Sequence, residues 1–352
     1  MRPLKAYIDL SALTFNLKLV KKIAKNSKVM AVLKANAYGH GLIESVKAIK
    51  SAEGIAILTI EEAAKIRKAG FKNTILLLEG LFAAEDIHQA EKLNLNIVVH
   101  NDQQMDFLGD VTLKNPINVH LKINTGMNRL GFEVDDFLNI YENHLKDVRF
   151  TLMTHLAASN VKEDPLNEKQ FLRFEELSKK LNPCVQKSIA NTGCVLNFPE
   201  KSFDWVRVGI GIFGGYIGNN ELQTAITLKS QIINVKEIAK GERVGYDGRA
   251  VAENDMKIAT VYLGYADGLP QHVKDGTIVM VNNQEAKVFG KVSMDVTTID
   301  VTNIKDCSIG DWCEYFSPNH SINNLASNNG SISYDLMIRI KSRVKRIYKN
   351  IN

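Results

Sequence analysis

Eight short apolar runs, each followed by a longer amphipathic or polar stretch, succeed one another between residues 29 and 208. The runs are 29–33, 55–58, 74–78, 97–99, 119–123, 150–154, 188–190 and 205–208. Several are continuous rather than alternating, which is the pattern of a strand covered on both faces. Segments 61–69, 134–144 and 168–181 between them have helical periodicity. A strand–helix alternation of this kind predicts an α/β fold with a parallel sheet. Its eightfold count favours a (β/α)8 barrel of the TIM type, although an open doubly wound sheet fits the same pattern.

From about Leu228 the texture changes. Strand-like runs at 232–235, 257–262, 277–281 and 296–301 lie close together, punctuated by Gly241, Gly245, Gly248, Gly264, Gly268, Gly276 and Gly290. This predicts a barrel over 1–227 and a β-rich domain over 228–352. The Asn- and Ser-rich stretch 317–331 is expected to be a loop. The cationic tail 334–348 reads as a strand or as one face of a helix. A chain of 352 residues has room for two domains. A net charge of +5, with no basic stripe interleaved with aromatics, argues against a nucleic-acid partner. No run is long enough to span a bilayer and no secretory start is visible, so a cytoplasmic protein is expected. The four cysteines share no metal-ligand spacing and are expected to be free thiols, with no metal bound.

In a (β/α)8 barrel the working residues sit at the C-terminal ends of strands. Lys34 follows the first run. An amine at the rim of a sheet can lose its proton and form a Schiff base with an aldehyde cofactor, although most such lysines merely snorkel. Tyr38, Gly39 and Gly41 follow in a loop able to approach a ligand closely. Lys122 and Arg129 lie at and after the fifth run, His155 after the sixth, Asn191 and Thr192 after the seventh. Arg207, Gly209 and Ile210 come at the eighth. Residues 209–214 match G-x-G-x-x-G, but they come after the last barrel strand instead of in an early βαβ unit. Phosphate binding by backbone N–H groups suits that place; dinucleotide binding does not. Taken singly, His155 reads as a satisfied histidine, Arg207 as a rim ion pair, Met294 as core and Tyr265 as a hairpin aromatic.

The contiguous string Val-Leu-Lys-Ala-Asn-Ala-Tyr-Gly-His-Gly at 32–41 resembles the cofactor-lysine motif of alanine racemases. The opening 8–16, the segment 120–131, Gly264-Tyr265-Ala266-Asp267-Gly268 and Ser293-Met294-Asp295 resemble further motifs of that family, in order and across both domains. The resemblance implies pyridoxal 5′-phosphate carried on Lys34, with Lys34 as the base on one face of the alanine Cα. Tyr265 would be the opposing acid/base, supplied by the second subunit of a homodimer with shared sites. Arg207 would face the pyridine nitrogen, and His155 would link Tyr265 to Arg207. Arg129 and the backbone of Met294 would hold the substrate carboxylate. Tyr38, Thr192, Gly209, Ile210 and Tyr334 would hold the phosphate, with Asn191 beside them, and Lys122 would be open to carbamylation. The implied role is to interconvert L- and D-alanine for peptidoglycan.

The sequence departs from the family pattern at three places. Ser188 stands where many members have a histidine behind the pyridine-binding arginine, Thr192 replaces a serine, and Lys291-Val292-Ser293 replaces an arginine-containing variant. Asp247 is a further local change. Competing readings are a racemase of wider range, a related barrel decarboxylase, and a non-catalytic pyridoxal-phosphate-binding protein. Arg207 argues against the decarboxylase, and the second domain with Tyr265 and Met294 argues against the non-catalytic protein.

Overall fold

A computed structural model describes residues 2–109, 113–146, 148–219 and 221–350. The chain divides into two compact units. One comprises Thr14–Lys34 and Ser45–Ile212; the other takes the chain up to Leu13, Ala35–Glu44 and everything from Phe213 onward. The first strand, β1 (Lys5–Asp9), pairs with strands from the end of the chain, and a short excursion after Lys34 joins it there.

The first unit is the barrel. Its strands are β2 (Lys28–Val32), β3 (Gly54–Ile57), β4 (Thr74–Leu77), β5 (Leu95–Val99), β6 (Val119–Lys122), β7 (Phe150–Met153), β8 (Gln186–Ser188) and β9 (Trp205–Val208). All eight are parallel, in the order β8-β7-β6-β5-β4-β3-β2-β9. The remaining seam is bridged by backbone bonds from Asp204 N to Lys187 O (3.2 Å) and from Arg207 N to Ala190 O (2.8 Å). Seven of the runs read from the sequence fall on these strands to within two residues at either end, whereas the seventh, read at 188–190, shares only Ser188 with β8. Strands β3, β7 and β9 are buried at every position, as continuous apolar runs demand. Helices start where local chemistry permits. Thr59 accepts from Glu62 N to begin Ile60–Lys68, and Asp164 with Pro165 begins Pro165–Lys179. Alternation along β6 puts His120 and Lys122 on one face, and both are buried.

The second unit is built on a mainly antiparallel sheet closed on itself. With β1 its strands are β10 (Ile226–Ile238), β13 (Met256–Val261), β14 (Ile278–Val281), β15 (Gln284–Val288), β16 (Thr297–Asp300), β17 (Trp312–Phe316) and β18 (Lys345–Lys349), while β11 (Arg243–Val244) and β12 (Ala250–Val251) form a separate two-stranded sheet. Among the described residues of this sheet, only β1 and β18 pair in parallel. Pairings run from β10 through β13, β16, β15, β14 and β17 and back to β10, with β1 and β18 continuing from β10. Closure needs one strand with two sets of partners. The register of β10 shifts between Ile232 and Asn234, so its first half meets β1 and β17 and its second half meets β13. Asn282 and Asn283, both at positive φ (49° and 61°), form the two-residue turn between β14 and β15. The loop expected over 317–331 contains a helix, Ile322–Asn328, because Ser321 caps it by accepting from Asn323 N. The tail is helix first, Ser333–Arg339, and then strand β18.

Candidate active site

Lys34 stands two residues beyond β2, half-buried at the C-terminal end of the barrel. The residues around it in the barrel unit are mainly cationic. Arg207 on β9 is only 3 % exposed, and all its acceptors are neutral. Nη1 donates to Ser188 O (2.9 Å) and Ser188 Oγ (2.5 Å), and Nη2 to Thr154 O (2.7 Å). His155 Nδ1 lies 3.4 Å from Nη2. Burial pulls the guanidinium down to about 10. The same burial, with Arg207, Arg129 and Lys34 nearby, lowers Lys122 to about 8 against the opposing pull of Glu79. His155 is held well below the usual histidine range by burial and then by Arg207, Arg129, Lys122 and Lys34, so its ring is neutral.

The loop after β6 is a separate construction. Lys122 O accepts from Phe132 N, and Asn124 N donates to Phe132 O, closing the loop at its base. Asn124 Oδ1 then accepts from Gly126 N (3.1 Å) and Asn128 N (3.0 Å). Gly131, at φ 121°, leaves no space for a Cβ, which would come within 2.7 Å of the Ile123 carbonyl carbon. Arg129 is exposed on this pinned loop, and a small pocket is lined by Lys122, Arg129, Thr154 and His155. Gln170 ties the loop to the next strand by donating to Thr125 Oγ1 and His155 O.

On the other side of the same barrel end, Asn191 caps the helix Thr192–Asn197. Its Oδ1 accepts from Cys194 N and from Ser159 Oγ, so it acts as a local organiser. Thr192 Oγ1 accepts from Gly211 N at 3.4 Å. A Cβ at Gly211 would come within 2.9 Å of Thr192 Cγ2, so this glycine keeps the backbone around Gly209 and Ile210 close to Thr192.

In the sheet unit, the residues after Lys34 form a left-handed turn. Ala35, Asn36, Ala37 and Tyr38 have φ of 52°, 55°, 53° and 50°. Each L-residue in that conformation costs roughly 1–2 kcal/mol, so the turn must be held by its surroundings. Asn36 Oδ1 accepts from Leu42 N, and Arg346 Nε donates to Gly39 O at 2.6 Å. Tyr38 is buried beside Tyr334, ring centroids 6.0 Å apart, and burial raises its phenol.

Tyr265 and Met294 meet in the same unit. Tyr265 N donates to Ser293 O (3.0 Å) and Ala266 N to Met294 O (2.9 Å). A Cβ at Gly264 would lie 2.3 Å from Met294 O, so only glycine allows the two segments to approach this closely. Beneath them lies Asp267, whose side chain is fully buried. It accepts from Gly264 N and is paired with Arg2 and Arg343. Met294 is 53 % exposed, so its expected place in a core is not the one it occupies.

The residues match known proteins throughout. A family model described as "Alanine racemase, N-terminal domain" matches residues 8–217, and one described as "Alanine racemase, C-terminal domain" matches 225–348. The chain belongs to the alanine racemase family. It is 36 % identical to the alanine racemase of Nitrosomonas europaea, covering 98 % of each chain. It is likewise 36 % identical to the catabolic alanine racemase of Pseudomonas aeruginosa, covering 99 % of each. The crystal structure of the biosynthetic alanine racemase from Pseudomonas aeruginosa superposes with a TM-score of 0.95 at 36 % identity, covering 99 % of this chain and 100 % of that one. The protein is therefore an isomerase acting on an amino acid. No helix among the described residues is long and apolar enough to cross a membrane.

Two residues of this alanine racemase scaffold show their contacts only in three dimensions. Ser188, a departure from the family pattern, is itself a double acceptor for Arg207, through its carbonyl and its hydroxyl. Asp267 was visible only as part of a turn motif; its two arginine partners, Arg2 and Arg343, come from opposite ends of the chain, and no local signal marks them.

Proposed function

We propose that the chain interconverts L- and D-alanine with pyridoxal 5′-phosphate held covalently on Lys34, by two-base proton transfer in a homodimer. The observation that carries this reading is Arg207, a buried guanidinium whose acceptors are all neutral, at a barrel end shared with Lys34, Lys122, Arg129 and His155. Such a donor set fits an anionic, phosphate-bearing pyridine. When bound, that cofactor would supply a conjugated system able to take up the charge left when Cα loses its proton.

The protein's own residues then have defined tasks. Lys34 Nζ holds or takes the proton on one face of the alanine Cα, and the Oη of Tyr265 of the partner subunit serves the other face. Arg207 would face the pyridine nitrogen as a donor that hardly ever gives up its proton, and so would favour the chemistry of an unprotonated ring, racemisation over transamination. Neutral His155 relays hydrogen bonding between Arg207 and Tyr265 of the partner subunit. Arg129 and the Met294 backbone of the partner subunit orient the substrate carboxylate. Tyr38, Tyr334, Thr192, Gly209 and Ile210 receive the phosphate, with Asn191 fixing the helix start beside Thr192. Lys122, at about 8, is neutral often enough near neutral pH to take up carbon dioxide as a carbamate that positions Arg129.

Borohydride treatment of the purified protein followed by peptide mass spectrometry tests the core of this reading. A reduced pyridoxyl adduct on Lys34 is expected, and its absence would overturn it. A racemisation assay over small L-amino acids, alanine and serine included, sets the substrate range. We place the enzyme in the cytoplasm as a source of D-alanine for peptidoglycan. Deletion should make growth depend on D-alanine, whereas growth unaffected by deletion would point to a catabolic role.

A further inference from the structure

Between Lys34 and helix Leu42–Ala48, one side chain gathers the carbonyls of the left-handed turn. His40 is fully buried, and its Nδ1 lies 2.9 Å from Tyr38 O and 3.1 Å from Ala37 O. Two carbonyl oxygens can only accept, so Nδ1 carries the hydrogen and Nε2 is bare. Ala37 O also accepts the backbone N–H of His40, so ring and backbone of one residue converge on that carbonyl. The ring packs on Phe213 with centroids 4.5 Å apart, and Phe213 packs on Tyr38 at 5.0 Å. Burial keeps the imidazole neutral, near 4, so this arrangement persists at neutral pH.

We propose that His40 is a positioning residue for cofactor binding: its Nδ1–H clamps the Ala37 and Tyr38 carbonyls, holds the left-handed turn, and so fixes the Tyr38 hydroxyl beside Tyr334. The proposal rests on the reading that Tyr38 and Tyr334 receive the phosphate. His40 touches none of the reacting atoms. Its effect runs through the backbone of the residue that does the binding.

The chemistry supplies a discriminating series. The amide nitrogen of asparagine is as many bonds from the backbone as Nδ1, whereas that of glutamine corresponds to Nε2. Holoenzymes carrying His40→Asn, His40→Gln and His40→Leu are diluted into buffer, and release of pyridoxal phosphate is followed by absorbance beside the thermal midpoint. His40→Leu and His40→Gln are expected to release it about tenfold faster than the wild type, and His40→Asn within about twofold of it. A His40→Asn variant no better than His40→Leu, or a His40→Leu variant that retains cofactor like the wild type, overturns the proposal. Tyr38→Phe separates the two layers: if it too retains cofactor normally, the phosphate reading itself fails. Should the variants not fold, 15N spectra of histidine-labelled wild-type holoenzyme decide the matter. A protonated Nδ1 with a bare Nε2 is expected for His40, and the opposite tautomer overturns the clamp.

Discussion

At the end of the barrel Arg207 is buried against acceptors that carry no charge, whereas in the sheet unit Asp267 is buried between two arginines. The barrel unit also holds Lys122, His155 and His120 away from their ordinary protonation, each chiefly through burial. The sheet unit satisfies its buried carboxylate internally and rests Tyr265 and Met294 on it. One region keeps uncompensated positive charge on rigid strand ends, where an anionic cofactor would relieve it. The other uses a compensated ion cluster to fix a short turn. Binding chemistry and positioning chemistry thus have opposite electrostatic signatures.

The largest expected effect tests the barrel side. Lys34→Ala should lower racemisation by about 10³-fold or more, in the range for losing a positioned acid/base, and should abolish the borohydride adduct. An adduct of unchanged size on another lysine would show that the cationic cluster does not centre on Lys34.

Acid should expose the same contrast in stability. His120 in the barrel unit and His40 in the sheet unit are held to about 3 and about 4 by burial. Both bind a proton more weakly folded than unfolded, so the unfolded chain gains protons first as pH falls below about 6.5. Their contribution is therefore complete above that pH. It is lost on the way down to about 4 for His40 and about 3 for His120. Thermal midpoints measured from pH 7 to 4 should fall by the equivalent of a few kcal/mol. His40→Asn should flatten the upper part of that slope, and an unchanged slope would mean that His40 is not neutral in the folded protein.

Asp267→Ala should cost about 2 kcal/mol in urea denaturation. That is below the range for a fully buried pair, because Arg2 and Arg343 are partly exposed and can regain water. Asp267→Asn keeps the bond from Gly264 N and should lose less. Either variant should lower the turnover number more than it raises the Michaelis constant if the cluster positions Tyr265. Equal effects on both would confine the cluster to stability.

Most of the barrel strands were legible because a strand covered on both faces is largely apolar; the seventh, Gln186–Ser188, is polar and partly buried, and the run read at 188–190 meets it only at Ser188. Runs such as 150–154 and 205–208 fell within a residue of the strands. The sheet unit was harder to read for a physical reason. Over short lengths, strand β15 mixes exposed with buried positions and β17 mixes partly with fully buried ones, and β1 pairs with β10 and with β18 at the far end of the sequence. The two-residue turn at Asn282-Asn283 was a local signal that could have been used. The left-handed turn at Ala35–Tyr38 could not have been: two of its four residues are alanine, and the partners that hold it and the adjoining Gly39, among them His40, Arg346 and Leu42 N, appear only in the structure.

Ser188→Ala carries the smallest expected effect and the sharpest reading of the barrel side. Replacing serine removes the Oγ that accepts from Arg207 and leaves the carbonyl of residue 188 as the acceptor for the same nitrogen. One guanidinium N–H loses a partner in a buried site, which should cost about 1 kcal/mol of stability. If Ser188 also orients Arg207 toward the pyridine nitrogen, the absorbance of the bound cofactor should shift in Ser188→Ala while borohydride trapping on Lys34 stays complete. A stability loss with an unaltered spectrum would mean that Thr154 O, 2.7 Å from the other nitrogen, is sufficient to aim the guanidinium. Ser188→His adds the converse arm. The imidazole of the common family pattern should restore the spectrum if a neutral acceptor behind Arg207 is all that the position requires.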